Sequence, residues 1–199
     1  MVSTPSIVDT VVLRYFFLAE RFDLLVEVLG APLMVSRVVY DPLDAGDEGV
    51  MSEMGRSIHV QRQRSVDRRR REEERKRAGR VATQLAAIHS RAADGTISVI
   101  DMSESELELF SRLGSGDYTA EFGLTFPLHE GEAATLAIAL ERGWVFVSDD
   151  EDALSAMLTI RHSHLYQRIR RILIEAMDLG LISPSEANAI HATMRECGF

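Results

Sequence analysis

Six acidic residues stand where a folded chain can gather them: Asp9, Asp41, Glu132, Asp149, Asp150 and Asp152. Asp9 falls at the end of a β-branched run that begins at Ser6, and Asp41 lies one helical turn beyond a second such run. Asp149 and Asp150 follow the apolar residues 144–147 and Ser148, and Glu132 opens the helix just before them. Carboxylates brought to one place repel, and each raises the pKa of its neighbour. A divalent cation is the natural compensation, and oxygen donors without His or Cys select Mg²⁺ or Mn²⁺ over Zn²⁺. A water on such an ion becomes acidic enough to act as a nucleophile near neutral pH. Asp9, Asp41, Glu132, Asp149 and Asp150 are the candidates for holding such an ion, with Asp152 next in the same acidic run.

The elements that must position these acids alternate between strand and helix. Residues 6–13 are rich in β-branched side chains and read as a buried strand ending near Asp9. Phe16, Phe17 and the apolar residues 24–29 then predict a helix stopped by Gly30. Residues 32–36 form a second strand and 37–41 start another helix, so the chain opens with a βαβ unit and parallel pairing. Residues 95–102 alternate as a strand, and Ser103 with Glu106 predicts a capping box and a helix to about Leu113. Residues 114–125 read as loop. Residues 130–140 make the clearest helix, closed by Gly143, and 144–148 a buried strand. Two helices follow, one over 165–179 and one capped by Ser183 with Pro184 in its first position. The expected fold is α/β, a parallel sheet flanked by helices, as one domain over 1–199 with a charged helical insertion at 44–91. In such sheets ligands gather at the carboxyl ends of strands, where these acids fall.

The chain has 199 residues, 46% hydrophobic and 27% charged, enough apolar surface for a packed core. No apolar run approaches the roughly 18–20 residues that cross a bilayer. Residues 1–5 lack a basic lead into the apolar stretch 7–12, which argues against a signal peptide. The expectation is a cytoplasmic protein with no membrane partner. One cysteine, Cys197, excludes an internal disulfide framework and a cysteine-rich zinc site. The net charge of −9 hides an asymmetry: residues 56–80 hold eleven Lys or Arg against four Asp or Glu, giving +7 there and −16 elsewhere. Glu72 with Lys76 and Glu73 with Arg77 fall at i,i+4 spacing and support an exposed helix. That arm reads as a solvated face, as an RNA contact through Arg68, Arg69, Arg70 and Arg71, or as a contact for a protein partner.

Asp9-Thr10 after the first strand, Asp41 after Val38-Val39-Tyr40, Gly131-Glu132-Ala133 opening a helix, and Ser148-Asp149-Asp150 after a strand resemble, in that order, the motifs of the PIN-domain family. That family supplies many bacterial toxin ribonucleases. The likeness spans residues 6–41 and the chain from about residue 95 onward. It implies a PIN-like, flavodoxin-like parallel sheet with a Mg²⁺ or Mn²⁺ site that cuts RNA, and an antitoxin protein as partner. It makes Asp9 the first ligand with Thr10 its hydrogen-bonding neighbour, Glu132 the helix-opening acid, and Asp150 the acid after the last core strand. Ser148 supports that last group, and Asp149 or Asp152 adds a fourth acid. Asp41 stands where the family usually has Glu, which leaves contact through water open there. The insertion departs from compact members, which join these elements more briefly.

Arg161, Arg168, Arg170 and Arg171 of the late helices are candidates to hold RNA phosphates. Plainer readings stand beside each residue. Asp9 alone fits a turn carboxylate, Asp41 a first-turn acid favoured by the helix macrodipole, and Asp149 or Asp152 a helix cap. His129 reads as a surface histidine. Phe16, Phe17, Phe22 and the 24–29 cluster read as core or as a homodimer face. Val11, two residues after Asp9, speaks against the paired acids of a metal-assisted phosphatase. The expected function is a Mg²⁺- or Mn²⁺-dependent endoribonuclease, the toxin of a toxin–antitoxin pair. The alternative is a non-catalytic PIN-like module that binds nucleic acid or protein through residues 56–80.

Overall fold

The structure, a computed structural model, describes residues 4–40, 86–115 and 127–196. Asp41, Arg68–Arg71 with most of the charged insertion, and Cys197 lie outside the described residues.

Five short strands form one sheet: β1 (Ser6–Val8), β2 (Leu33–Ser36), β3 (Ile97–Ile100), β4 (Val145–Val147) and β5 (Tyr166–Gln167). All pairings are parallel and the spatial order is β3-β2-β1-β4-β5. The helices are α1 (Thr10–Leu18), α2 (Phe22–Leu29), α3 (Arg37–Tyr40), α4 (Glu104–Gly114), α5 (Glu130–Arg142), α6 (Glu151–Ile160), α7 (Ile169–Asp178) and α8 (Pro184–Glu196); residues 86–93 are also helical. This is the flavodoxin-like α/β layering expected. Among the described residues no helix is long and apolar enough to cross a membrane.

Strand periodicity sorts the core into two layers. Val8, Leu33, Val35, Ile97 and Val147 face one side, where they pack with residues of α1, α2, α7, α8 and Ile88. Ile7 and Phe146 face the other side, with residues of α4, α5 and α6. Both faces of the central strands are therefore covered, which is why they read as unbroken apolar runs. The aromatic residues Phe16, Phe17 and Phe22 lie in the first of these layers.

Local chemistry sets several boundaries differently from the sequence reading. The β-branched Thr10-Val11-Val12 belongs to α1, because the Asp9 carboxylate accepts the Thr10 N–H at 2.6 Å and starts a helix there. A single helix from 16 to 29 is replaced by two, since Glu20 at φ 55° turns the chain between α1 and α2. Helix α6 and strand β5 occupy residues that the sequence reading left unassigned or put into one long helix.

Two features fix α5, which carries Glu132. At its far end Gly143 adopts φ 66° as a left-handed cap, and Arg142 reaches the buried Glu106 of α4 with hydrogen bonds of 2.6 and 2.9 Å. Glu106 is also half of the capping box with Ser103. The buried Glu106 charge is thus offset by a guanidinium and by a backbone N–H, and α4 and α5 are locked as an antiparallel pair.

Candidate functional site

Strand order reverses between β1 and β4: β2 and β3 lie to one side of β1, while β5 lies beyond β4. Open α/β sheets bind ligands outside the carboxyl ends of the strands at such a reversal. Asp9 leaves β1 at that point and Ser148 leaves β4, with Val8 and Val147 in register just before them.

Asp9 is fully buried and has both oxygens engaged. Oδ1 accepts the Thr10 N–H at 2.6 Å, and Oδ2 accepts the Ser148 hydroxyl at 2.8 Å. Ser148, equally buried, accepts in turn the Asp150 N–H at 3.1 Å. Asp150 caps α6, its Oδ1 accepting the Ala153 N–H at 2.9 Å. On the third side α5 comes close enough that a Cβ on Gly131 would lie 3.2 Å from Oγ1 of Thr10 and 3.5 Å from a Val39 methyl. The glycine is what lets that helix start approach α1. Glu132 follows immediately, and its Oε2 accepts the His129 N–H at 3.2 Å.

Each of these acids sits at or beside a helix N-terminus, where the macrodipole favours negative charge. For Glu132 that is not enough. Burial, and then the charges of Asp150 and Asp9 with a smaller part from Asp152, push its carboxyl up to about 8, against the lowering effect of the His129 N–H. Acids from two stretches of chain remote from Glu132 therefore act on its carboxyl group. Among the described residues, Oδ2 of Asp150 and Oε1 of Glu132 carry no hydrogen bond. No three Asp, Glu, His or Cys side chains among those residues stand close enough to enclose a metal ion as placed.

The remaining candidates are placed elsewhere. Asp149 accepts Nε of Arg168 at 3.0 Å and the Ile169 N–H at 2.5 Å, so its carboxylate caps α7. Arg168 also donates to Glu151 at 2.7 Å, Arg171 pairs with Glu175 at 2.9 Å, and Arg161 donates to the Leu140 carbonyl at 2.9 Å. Arg170 is exposed, and with Arg168 and Arg171 it borders a cavity of about 690 Å³ between β5, α7 and the end of α2. None of the acids at the strand reversal lines that cavity. His164 is buried with Nε2 2.8 Å from the Trp144 carbonyl.

Sequence reasoning missed two contributors. The linkage of Arg168 to Asp149 and Glu151 has no local signature, because the partners are 19 and 17 positions apart. The part played by Gly131 was half visible, in the glycine that precedes the helix-opening acid. No protein-family model matches the chain, and neither a curated protein nor a solved structure shows significant similarity to it.

Proposed function

We propose that the chain is a Mg²⁺- or Mn²⁺-dependent endoribonuclease of the PIN-like type, hydrolysing RNA phosphodiester bonds by an activated water. The observation that carries this reading is the Glu132 carboxyl, raised to about 8 by burial and by the charges of Asp150 and Asp9. A carboxyl held in that way is relieved by a cation, and the donors around it are all hard oxygens, the set that suits Mg²⁺ or Mn²⁺. Glu132, Asp150 and Asp9 are the residues that would hold it, with Asp152 adding charge nearby and Asp41 as a further acid outside the described residues.

When bound, the metal supplies an acidified water and neutralises charge at the scissile phosphate. The protein's own groups prepare that site. Asp9 is oriented by Thr10 and Ser148, so its carboxylate does not have to be ordered at the moment of binding. Glu132, with its carboxyl raised to about 8, holds a proton at neutral pH that it would have to release to serve as a metal ligand. Asp150, tethered to Ala153 through Oδ1, offers Oδ2. Asp149 falls outside the proposed metal set because Arg168 and the α7 N-terminus hold it. Of the late arginines, the exposed Arg170 is kept as the RNA-phosphate candidate because Arg161, Arg168 and Arg171 are hydrogen-bonded within the fold. A toxin role with an antitoxin partner rests on the motif resemblance alone.

The test is RNA cleavage with Mg²⁺ or Mn²⁺, compared with Asp9→Asn and Asp150→Asn. Cleavage that stops with chelator and falls at least about a hundredfold in both variants is expected. Equal cleavage in excess chelator, or variants with full activity, would remove the proposal.

A further inference from the structure

The run Asp149-Asp150-Glu151-Asp152 places four like charges in succession, and Arg168 takes up two of them. Asp149 and Glu151 are both bound by Arg168, through Nε at 3.0 Å and Nη2 at 2.7 Å. Asp150, between them, is tied through its N–H to Ser148, whose hydroxyl holds Asp9. The second oxygen of Asp149 is fixed by the Ile169 N–H at 2.5 Å, so the clamp is anchored to the first turn of α7. Asp150 itself is held between the two clamped residues, with its N–H on Ser148 and its Oδ1 on Ala153.

We propose that Arg168 is a positioning residue for Asp150: by binding the acids on either side of it, Arg168 commits the Asp150 carboxylate to the centre shared with Asp9 and Glu132. This inference rests on the metal-dependent reading above, and it replaces the sequence-based expectation that Arg168 contacts RNA. The guanidinium suits the task because its planar fork serves two carboxylates at once, whereas an ammonium is a single point charge. Without the clamp, Asp149 and Glu151 regain their repulsion for Asp150, and the Ile169 N–H is left as the tie of Asp149 to α7. Partners that orient metal ligands typically contribute about ten- to a hundredfold in affinity or activity.

The experiment measures Mn²⁺ affinity by electron paramagnetic resonance on the full chain, below its unfolding temperature, alongside kcat and KM for RNA cleavage. Wild type, Arg168→Gln, Arg168→Lys, Glu151→Gln and the Arg168→Gln/Glu151→Gln double variant are compared. Arg168→Gln is expected to weaken Mn²⁺ binding about tenfold or more and lower kcat with KM little changed. Arg168→Lys should recover part of the loss, and Glu151→Gln should add little in the Arg168→Gln background. Should Arg168→Gln fail to fold, the Lys and Glu151→Gln variants carry the same comparison, both expected to bind Mn²⁺ more weakly than wild type. Unchanged Mn²⁺ affinity with a raised KM would make Arg168 a phosphate contact and overturn the inference. Unchanged affinity and kinetics with only a lower Tm would reduce it to a structural role and overturn it equally. A wild-type protein that binds no Mn²⁺ would instead overturn the metal-dependent reading, and the inference with it.

Discussion

Ser148 donates its hydroxyl hydrogen to Oδ2 of Asp9 at 2.8 Å across 139 positions of sequence, and both side chains are fully buried. The same oxygen of Ser148 accepts the Asp150 N–H. One hydroxyl thus joins the end of β1 to the start of α6, and the distance between two of the proposed ligands depends on it.

Ser148→Ala should lower stability by about 1–3 kcal/mol, because a buried Asp9 oxygen and the Asp150 N–H both lose a partner. Urea unfolding of the metal-free protein measures this. A change below about 0.5 kcal/mol would mean that the bond is not maintained in solution.

Glu132 gives the protein a pH dependence of defined sign. Its carboxyl is raised from 4.5 to about 8 in the folded state, so between those values the folded chain keeps a proton that the unfolded chain has released. Stability must then fall as pH rises through that window and level off above it. Glu132→Gln should remove this slope and leave the variant more stable than wild type at the alkaline end, by roughly a few kcal/mol. Denaturation midpoints across the window decide the matter; parallel curves for the two proteins would contradict the burial of that charge.

Gly131→Ala should separate stability from function. Alanine favours the helix by up to about 1 kcal/mol, but its Cβ would meet Thr10 Oγ1 at 3.2 Å, so Thr10, beside Asp9, must shift to make room. Net stability should stay within about 1 kcal/mol of wild type while RNA cleavage falls roughly tenfold or more, since small displacements of reacting groups are costly. Full activity would show that the close approach of these helices is irrelevant to the centre.

Arg142→Met removes the partner of a buried carboxylate. Burial alone would raise the Glu106 carboxyl, but the Arg142 and Ser103 hydrogen bonds outweigh it and hold it below its ordinary value. That contribution is present above about pH 4.5 and is lost as pH falls through the lowered value. The variant should lose about 2–3 kcal/mol at neutral pH, less than for a wholly buried pair because Arg142 is partly exposed. The loss should shrink in acid, where Glu106 is protonated in the variant. Unfolding measured at neutral pH and near pH 4 gives both values.

Much of the frame was legible because its signals are local. The Ser103 and Glu106 box, the Ser183, Pro184 and Glu186 start of α8 and the Gly143 stop of α5 each require only neighbours within four residues. The strand end near Asp9 was legible, but the start of α1 at Thr10 was not, because the β-branched Thr10-Val11-Val12 favour a strand over a helix. Strand β5 is two residues long and borrows its regularity from β4, so no period announces it. At the candidate site, order along the chain pointed to Asp9, Glu132 and Asp150 and kept Asp149 as a supporting acid. It could not show that Asp149 is held by Arg168 and the Ile169 N–H, because those partners lie about twenty positions away.

β1 is flanked on one side by a strand that follows within thirty residues and on the other by one that comes more than a hundred residues later. During synthesis on a ribosome, β1 and β2 can meet early, while the seat beside β1 stays vacant until β4 emerges. A nascent chain short of that point has Asp9 without Ser148 and cannot hold its first acid in place. Whatever chemistry the finished protein performs is therefore withheld from its own half-made copies, and the open flank of β1 is the surface that a chaperone would have to shield meanwhile.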